Sequence, residues 1–147
     1  SNHEIRQATA ASLLLKNVID NGETIVTCDE ELLEIILAVQ KIKLKEYNRN
    51  AKQSGESGCG NIKEYRAKTE FLSTQELCKT VIEDVLHFSD YQSTPWDYSV
   101  ADILNKIHLA DINDCIYYNY CQQNSIDFYT FDNDINNLGT APYIHVI

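Results

Sequence analysis

Apolar residues recur every three or four positions along most of this chain, which is the spacing of amphipathic helices. The pattern predicts helices over about 4–20, 29–48, 61–85 (with a break near 72–74), 96–107 and 111–124. Short runs rich in β-branched and aromatic residues predict strands over 23–27, 86–91, 127–131 and 143–147. Strands that alternate with helices are typical of an α/β fold with a mostly parallel sheet.

Residue types mark several of the expected boundaries. Asn21 and Gly22 stand where the first helix should end. Thr27 with Glu30 forms a capping-box pattern at the start of the second helix. The segment AKQSGESGCG (51–60) is rich in Gly and Ser and is predicted to be a flexible loop. Because 147 residues with 44% hydrophobic content can fill one ordinary core, we expect one domain over 1–147.

The cysteine content favours a reduced, cytoplasmic protein. The five cysteines are an odd number and include no CxxC pair, so a disulfide framework and a structural zinc site are both disfavoured. They are Cys28, Cys59, Cys78, Cys115 and Cys121. No apolar run approaches the roughly 18 residues of a membrane span, so we expect no membrane partner.

The charge is unevenly distributed along the chain. The net charge is −10, but residues 41–68 carry about +5 and the remainder about −15. The simplest interpretation of this segment is a solvated helix face and loop. A functional interpretation is a surface that contacts phosphates, with Lys41, Lys45 and Arg49 as its RNA-binding residues.

Acidic residues gather at two junctions in the last third of the chain. Asp111 and Asp114 stand at the start of a predicted helix, and Asp132 and Asp134 follow a predicted strand. In open parallel sheets, functional residues cluster beyond the carboxyl ends of strands. Carboxylates held together repel one another, and a divalent cation is the usual reason to tolerate this repulsion. The two junctions therefore suggest a metal site.

A third acidic segment follows the strand predicted over 23–27. Glu30, Glu31 and Glu34 occupy the first turns of the next helix. If the strands are neighbours in the sheet, all three segments bring acids towards one edge.

Each acid also has a purely structural interpretation. Asp111 and Asp114 can form a helix N-cap pair, and Glu34 lies on a polar helix face where solvent exposure is expected. Asp132 and Asp134 can simply form a turn, because Asp and Asn favour turns.

The arrangement of these acids resembles a PIN domain, a metal-dependent ribonuclease fold of toxin–antitoxin toxins and RNA-processing factors. The family closes with an Asp that opens a helix and a later strand that ends in Thr-x-Asp. Here Asp114 is followed by CIYYNYCQQNSIDFY and then by Thr130-Phe131-Asp132. The family's upstream Glu, one turn into the helix after its second strand, is best matched by Glu34 in TIVTCDEELLEIIL.

The resemblance implies a three-layer α/β/α fold with a mostly parallel central sheet. It further implies an endoribonuclease that hydrolyses RNA phosphodiester bonds with Mg²⁺ or Mn²⁺ bound by Glu34, Asp114 and Asp132. Asp111 and Asp134 would contribute through water, and Thr130 would hold a site carboxylate or water by hydrogen bonding. An antitoxin-like protein partner and a homodimer are implied by the same likeness.

One departure from the family leaves a second function open. PIN domains begin with a strand that carries an Asp in an Asp-x-Asn pattern, and nothing of this kind precedes Glu4. We therefore expect the first strand either to lie upstream of Ser1 or to be absent. If it is absent, the alternative is a non-catalytic PIN-like module that binds RNA or protein.

Overall fold

The computed structural model describes residues 2–93 and 98–147 and divides into two compact units. The first unit comprises residues 1–23 and 95–147, and the second comprises residues 24–94. In chain order the helices and strands are α1 (Asn2–Asp20), β1 (Val26–Cys28), α2 (Asp29–Gln53), α3 (Ile62–Arg66), α4 (Phe71–Phe88), β2 (Asp90–Gln92), α5 (Val100–Leu104), α6 (Ile112–Asn124), β3 (Phe128–Thr130), a 3₁₀ helix (Asn133–Leu138) and β4 (Ile144–Val146). None of these helices is long and apolar enough to cross a membrane.

The second unit is built on helices α2 and α4, which pack against each other. The α2 side chains Leu32, Ile35, Ile36 and Val39 are buried or half-buried, as their helical spacing predicts. Ile42 is 62% exposed and lies off this buried face, which continues through Leu44 and Ala51.

Strand β1 runs parallel to β2 in this unit, with Val26 opposite Asp90. The predicted capping box before α2 is wrong. The N-cap residue is Cys28, and its side chain makes no capping hydrogen bond. The Thr27 hydroxyl instead forms a 3.0 Å hydrogen bond with the Ser89 hydroxyl, in a position where Thr27 is almost fully buried. The Thr27 hydroxyl, which the sequence pattern predicts to cap α2, is therefore used in a tertiary contact instead.

The Gly/Ser-rich segment is shorter than predicted, and its end is fixed. Helix α2 continues to Gln53, five residues beyond its predicted end. The Asn48 side chain then clamps Cys59: its amide donates to the Cys59 carbonyl at 2.9 Å and its oxygen accepts from the Cys59 N–H at 2.7 Å. Cys59 is buried as a result of this contact, although the sequence predicts a flexible loop there.

Two aromatic contacts hold α3 against its neighbours. The rings of Tyr65 and Tyr47 lie 5.2 Å apart, and Phe71 meets Tyr65 edge-on at 5.4 Å. The Tyr65 hydroxyl also forms a buried 2.7 Å hydrogen bond with the Thr74 hydroxyl. The helix predicted over 61–85 is therefore two helices, and its break lies at 67–70 rather than near 72–74.

The first unit contains its own buried cluster. Ile103 of α5 packs with Ala110, Cys115 and Ile116, and Leu138 covers this cluster from one side. Strands β3 and β4 are parallel, with Phe128 opposite Ile144. Helix α6 ends at Ser125, whose left-handed backbone (φ 54°) terminates the helix.

The sequence predicts whether a segment is a helix or a strand better than it predicts the residues at which that helix or strand begins and ends. Parallel pairing is confirmed, but the described strands have three residues each and form two separate two-stranded sheets. The strand predicted over 86–91 is wrong at its start, because α4 extends through Phe88. Of the helix predicted over 96–107, α5 covers Val100–Leu104, while residues 94–97 lie outside the described ranges.

The clamp on Cys59 gives the first testable prediction. Asn48→Ala removes two hydrogen bonds to buried backbone groups and should lower the free energy of unfolding by about 2 kcal/mol. Asn50→Ala, at an exposed site on the same helix, carries the same change in helix propensity and is the matched control. Urea unfolding of both variants measures the difference, and equal effects would contradict the clamp.

Candidate metal centre

Helix α6 places two carboxylates at its first turn. Asp111 occupies the N-cap position and Asp114 lies within the first turn. The sequence allows Asp111 to be a simple capping residue, but its side chain makes no capping hydrogen bond. The exposed backbone N–H groups at this end of a helix favour negative charge. Both carboxylates therefore stand where an acidic site is electrostatically supported.

The end of strand β3 fixes a third carboxylate through its backbone. The Asp132 N–H donates to the Thr130 hydroxyl oxygen at 3.1 Å. The Asp132 carboxylate in turn accepts from the Asp134 N–H at 2.9 Å, which begins the 3₁₀ helix. Thr130 thus positions the main chain of Asp132, whereas the resemblance assigned it to a site carboxylate or water.

Two hydrogen bonds join the 3₁₀ helix and the glycine after it to α6 and to the segment before α6. The Asn137 amide donates to the Leu109 carbonyl at 2.9 Å. The Tyr118 hydroxyl donates to the Gly139 carbonyl, also at 2.9 Å. A β-carbon at Gly139 would lie 3.0 Å from the Tyr118 oxygen, and the backbone there has φ +121°. Glycine is therefore required for this close approach.

These contacts bring three carboxylates together in the first unit. One ligand oxygen from each of Asp111, Asp114 and Asp132 lies within 4.8 Å of the other two. Among the residues that the structure describes, these three carboxylates are the acidic, histidine or cysteine side chains that lie close enough together to bind one metal ion. Because all three donors are carboxylate oxygens, the group suits a hard cation such as Mg²⁺ or Mn²⁺ better than zinc.

The neighbouring thiol does not add a ligand. Burial raises the pKa of the Cys115 thiol, and the nearby Asp114 and Asp111 raise it further, against an opposing effect of Lys106. The Cys115 Sγ atom lies 3.9 Å from the Ala110 carbonyl oxygen and is not a member of the carboxylate group.

The remaining predicted metal-binding and RNA-binding residues are not members of this group. Asp134 contributes its backbone N–H and lies outside the three-carboxylate group. Glu34 is exposed on α2, in the second unit. Lys41, Lys45 and Arg49 are exposed on the same helix. The structure thus unites three of the five predicted metal ligands.

A perturbed carboxyl group lies at the start of α2, within the third acidic segment that the sequence predicts. Burial raises the pKa of Glu31 to about 7, and the charge of Glu34 adds to the rise. Burial also raises the pKa of the adjacent Cys28 thiol to about 11. Asp29, on the same turn, accepts a hydrogen bond from the Tyr91 hydroxyl of β2. The run of acids after a strand predicts acidic residues at this position, but it does not predict the burial that raises the pKa of Glu31.

A cluster that the sequence does not predict lies on one face of the β3–β4 pair. The His145 ring stacks on Tyr129 with 4.5 Å between centroids. Its Nε2 atom lies 3.0 Å from the Asp127 carboxylate. Register explains the stack, since Tyr129 and His145 are directly opposite each other in the parallel pair. The local sequence pattern does not predict this register.

Comparisons with protein-family models, curated proteins and solved structures find no match to this chain. The resemblance to PIN domains therefore stays a hypothesis that rests on its motif residues. The described geometry adds that two of those residues, Asp114 and Asp132, lie within one carboxylate group.

The carboxylate group predicts stabilisation by divalent cations. Mn²⁺ at 100 times its dissociation constant should stabilise the protein by about 2.7 kcal/mol, because the ion binds the folded chain. Asp114→Asn should abolish the rise in melting temperature, whereas Asp102→Asn, an exposed change on α5, should preserve it. Thermal unfolding with and without Mn²⁺ makes the measurement. An equal rise in both variants would show that the ion binds elsewhere.

Glu31 predicts a pH dependence of stability. Its folded pKa lies above the ordinary value of 4.5, so the folded state binds more protons than the unfolded state between about pH 4.5 and 7. Stability should therefore fall as the pH rises through this window. Above pH 7 the Glu31 carboxylate is ionised in the folded state, and its burial lowers the free energy of unfolding by the full amount. Glu31→Gln removes this charge and should raise the free energy of unfolding by about 2 kcal/mol.

Urea unfolding at pH 4.5 and pH 8 tests the Glu31 prediction. The variant should exceed the wild type at pH 8 and match it at pH 4.5. Glu83→Gln, at an exposed position on α4, is the control and should change neither value. A Glu31→Gln variant without any gain at pH 8 would refute a buried, destabilising carboxylate.

Proposed function

We propose that this chain is a metal-dependent endoribonuclease that hydrolyses RNA phosphodiester bonds at the Asp111, Asp114 and Asp132 group. The observation that supports it is the approach of these carboxylate oxygens to within 4.8 Å of one another. Two segments contribute them, and hydrogen bonds outside the group hold those segments together. RNA as the substrate comes from the resemblance to PIN domains.

The chemistry that Mg²⁺ or Mn²⁺ supplies when bound is activation of a water and neutralisation of charge at the phosphate. The chain's own residues would hold the cation and orient the carboxylates that bind it. Asp111 and Asp114 present their carboxylates from the first turn of α6, and Asp132 is oriented by its contacts with Thr130 and Asp134. The group thus offers oxygen ligands on one side and leaves the rest of a coordination shell to water and substrate.

The finer features of the PIN resemblance belong to the same proposal. They are a three-layer α/β/α arrangement around one central parallel sheet, a single domain over 1–147, a cytoplasmic setting, an antitoxin-like partner and a homodimer. Parallel pairing of β1 with β2 and of β3 with β4 agrees with the sheet. Glu34 stays a predicted further ligand of the centre.

Cleavage of a labelled RNA tests the proposal. The wild type should cleave it in Mn²⁺ or Mg²⁺ and not in EDTA. Asp114→Asn and Asp132→Asn should each lower the rate at least about 100-fold, because each removes a charged ligand from a small oxygen-ligand set. Asp102→Asn is the control and should cleave at the wild-type rate.

Two outcomes would overturn the proposed hydrolysis. Cleavage that survives in both variants after removal of trace metals would place the chemistry outside this group. RNA binding without cleavage in any divalent metal would favour the alternative, a non-catalytic PIN-like module.

A further inference from the structure

The C-terminal part of α2 carries a row of exposed cations. Lys41, Lys45, Arg49 and Lys52 are all exposed. At 100° per residue their α-carbons fall within an arc of about 80° on the helix. At 1.5 Å per residue the row is about 16 Å long, with about 6 Å between neighbours four residues apart.

Among the described residues, none of these four cations forms an ion pair with a carboxylate. Between residues 37 and 53 the one acidic residue is Glu46, and it forms an ion pair with Lys43 at 3.0 Å. The hydrogen bond from Lys43 is the main cause of the lowered pKa of Glu46, and Arg49 is a minor one. Elsewhere in the described chain, Lys16 pairs with Asp20 and Lys79 with Glu76. Positive charge is therefore concentrated on one face of α2.

Contacts beside the row and away from it fix the helix that carries it. Asn48, beside the row, holds the backbone of Cys59, and Tyr47, on the far side, packs on Tyr65 of α3. Leu44 and Ala51 lie between these two and are half-buried and buried respectively. The spacing of the cations is thus set by a packed helix, which lowers the entropic cost of meeting a polyanion.

We propose that this basic face, formed by Lys41, Lys45, Arg49 and Lys52, is a docking surface for the phosphate backbone of single-stranded RNA and binds it without a divalent metal. Charge complementarity selects the occupant, because phosphates placed along one strand match a narrow row of cations. The surface lies in the second unit and the carboxylate group lies in the first. The inference therefore concerns a different surface from the proposed hydrolysis. RNA as the strand that docks rests on the proposed function, whereas binding without a divalent metal does not.

An anionic membrane fits this face less well than a nucleic acid strand. A bilayer surface is broad, and the chain outside 41–68 carries about −15, which such a surface would repel. Helices that bind membranes also present bulky apolar residues, often Trp or Phe, beside their cations. Within residues 41–52 the one exposed large apolar side chain is Ile42, and the aromatic ring of Tyr47 packs on Tyr65 of α3.

Salt-dependent binding tests the docking surface. Fluorescence anisotropy of a labelled, unstructured oligoribonucleotide is measured in EDTA over a series of KCl concentrations. Log K should fall linearly with log salt. Lys41→Gln/Lys45→Gln should bind more weakly and should reduce the steepness of that line by about 1.4, since each contact with a single strand contributes about 0.7.

The matched control is Lys16→Gln/Lys79→Gln, which removes the same charge from two lysines paired with carboxylates. It should retain the wild-type slope, and an equal loss in both double variants would overturn the inference by showing an effect of net charge alone. Asp102→Asn should bind RNA in EDTA as the wild type does. Binding measured in EDTA, where the hydrolysis proposed at the carboxylate group is absent, separates failure of this inference from failure of the proposed function. No salt-dependent RNA binding by the wild type, or binding only to vesicles of anionic lipid, would also overturn it.

Discussion

The candidate site depends on the hydrogen bonds that hold the 3₁₀ helix against the segments around the start of α6. Three carboxylates within 4.8 Å repel one another, so their approach must be stabilised by contacts outside the group. Asn137 bonded to the Leu109 carbonyl and Tyr118 bonded to the Gly139 carbonyl are such contacts. The fully buried Ile135 anchors the 3₁₀ helix between them. The site is thus a consequence of packing and not of local preference.

Charge segregation is the second feature that organises the molecule. In the first unit, acids meet at the start of a helix, where backbone N–H groups favour negative charge. In the second unit, cations follow one exposed face of α2 with a single paired acid among them. Such separation increases the local field at each surface, which favours a cation at one and a polyanion at the other.

The sequence predicts well those features that depend on the local spacing of residues. Helices α1 and α6 begin and end within two residues of their predicted limits, and the acids at the start of α6 follow directly from that register. The capping box at Thr27 fails because a buried partner, Ser89, lies 62 residues away in sequence. The prediction of a flexible segment over 51–60 is only partly correct, for a similar reason. Its composition says nothing of Asn48, which holds Cys59 in place.

Glu31 and the Asp111 group show why residue type alone does not determine the chemistry of an acid. Glu31 and Asp114 look alike in the sequence, since each stands in the first turn of a helix. Glu31 is half-buried with Glu34 nearby, so its pKa rises to about 7 and it resists carrying charge. Asp114 instead shares its group with Asp111 of the same segment and with Asp132 of a separate one. Burial and tertiary neighbours are not written in the local sequence. They separate a carboxyl that tends to hold a proton from carboxylates that can share a cation.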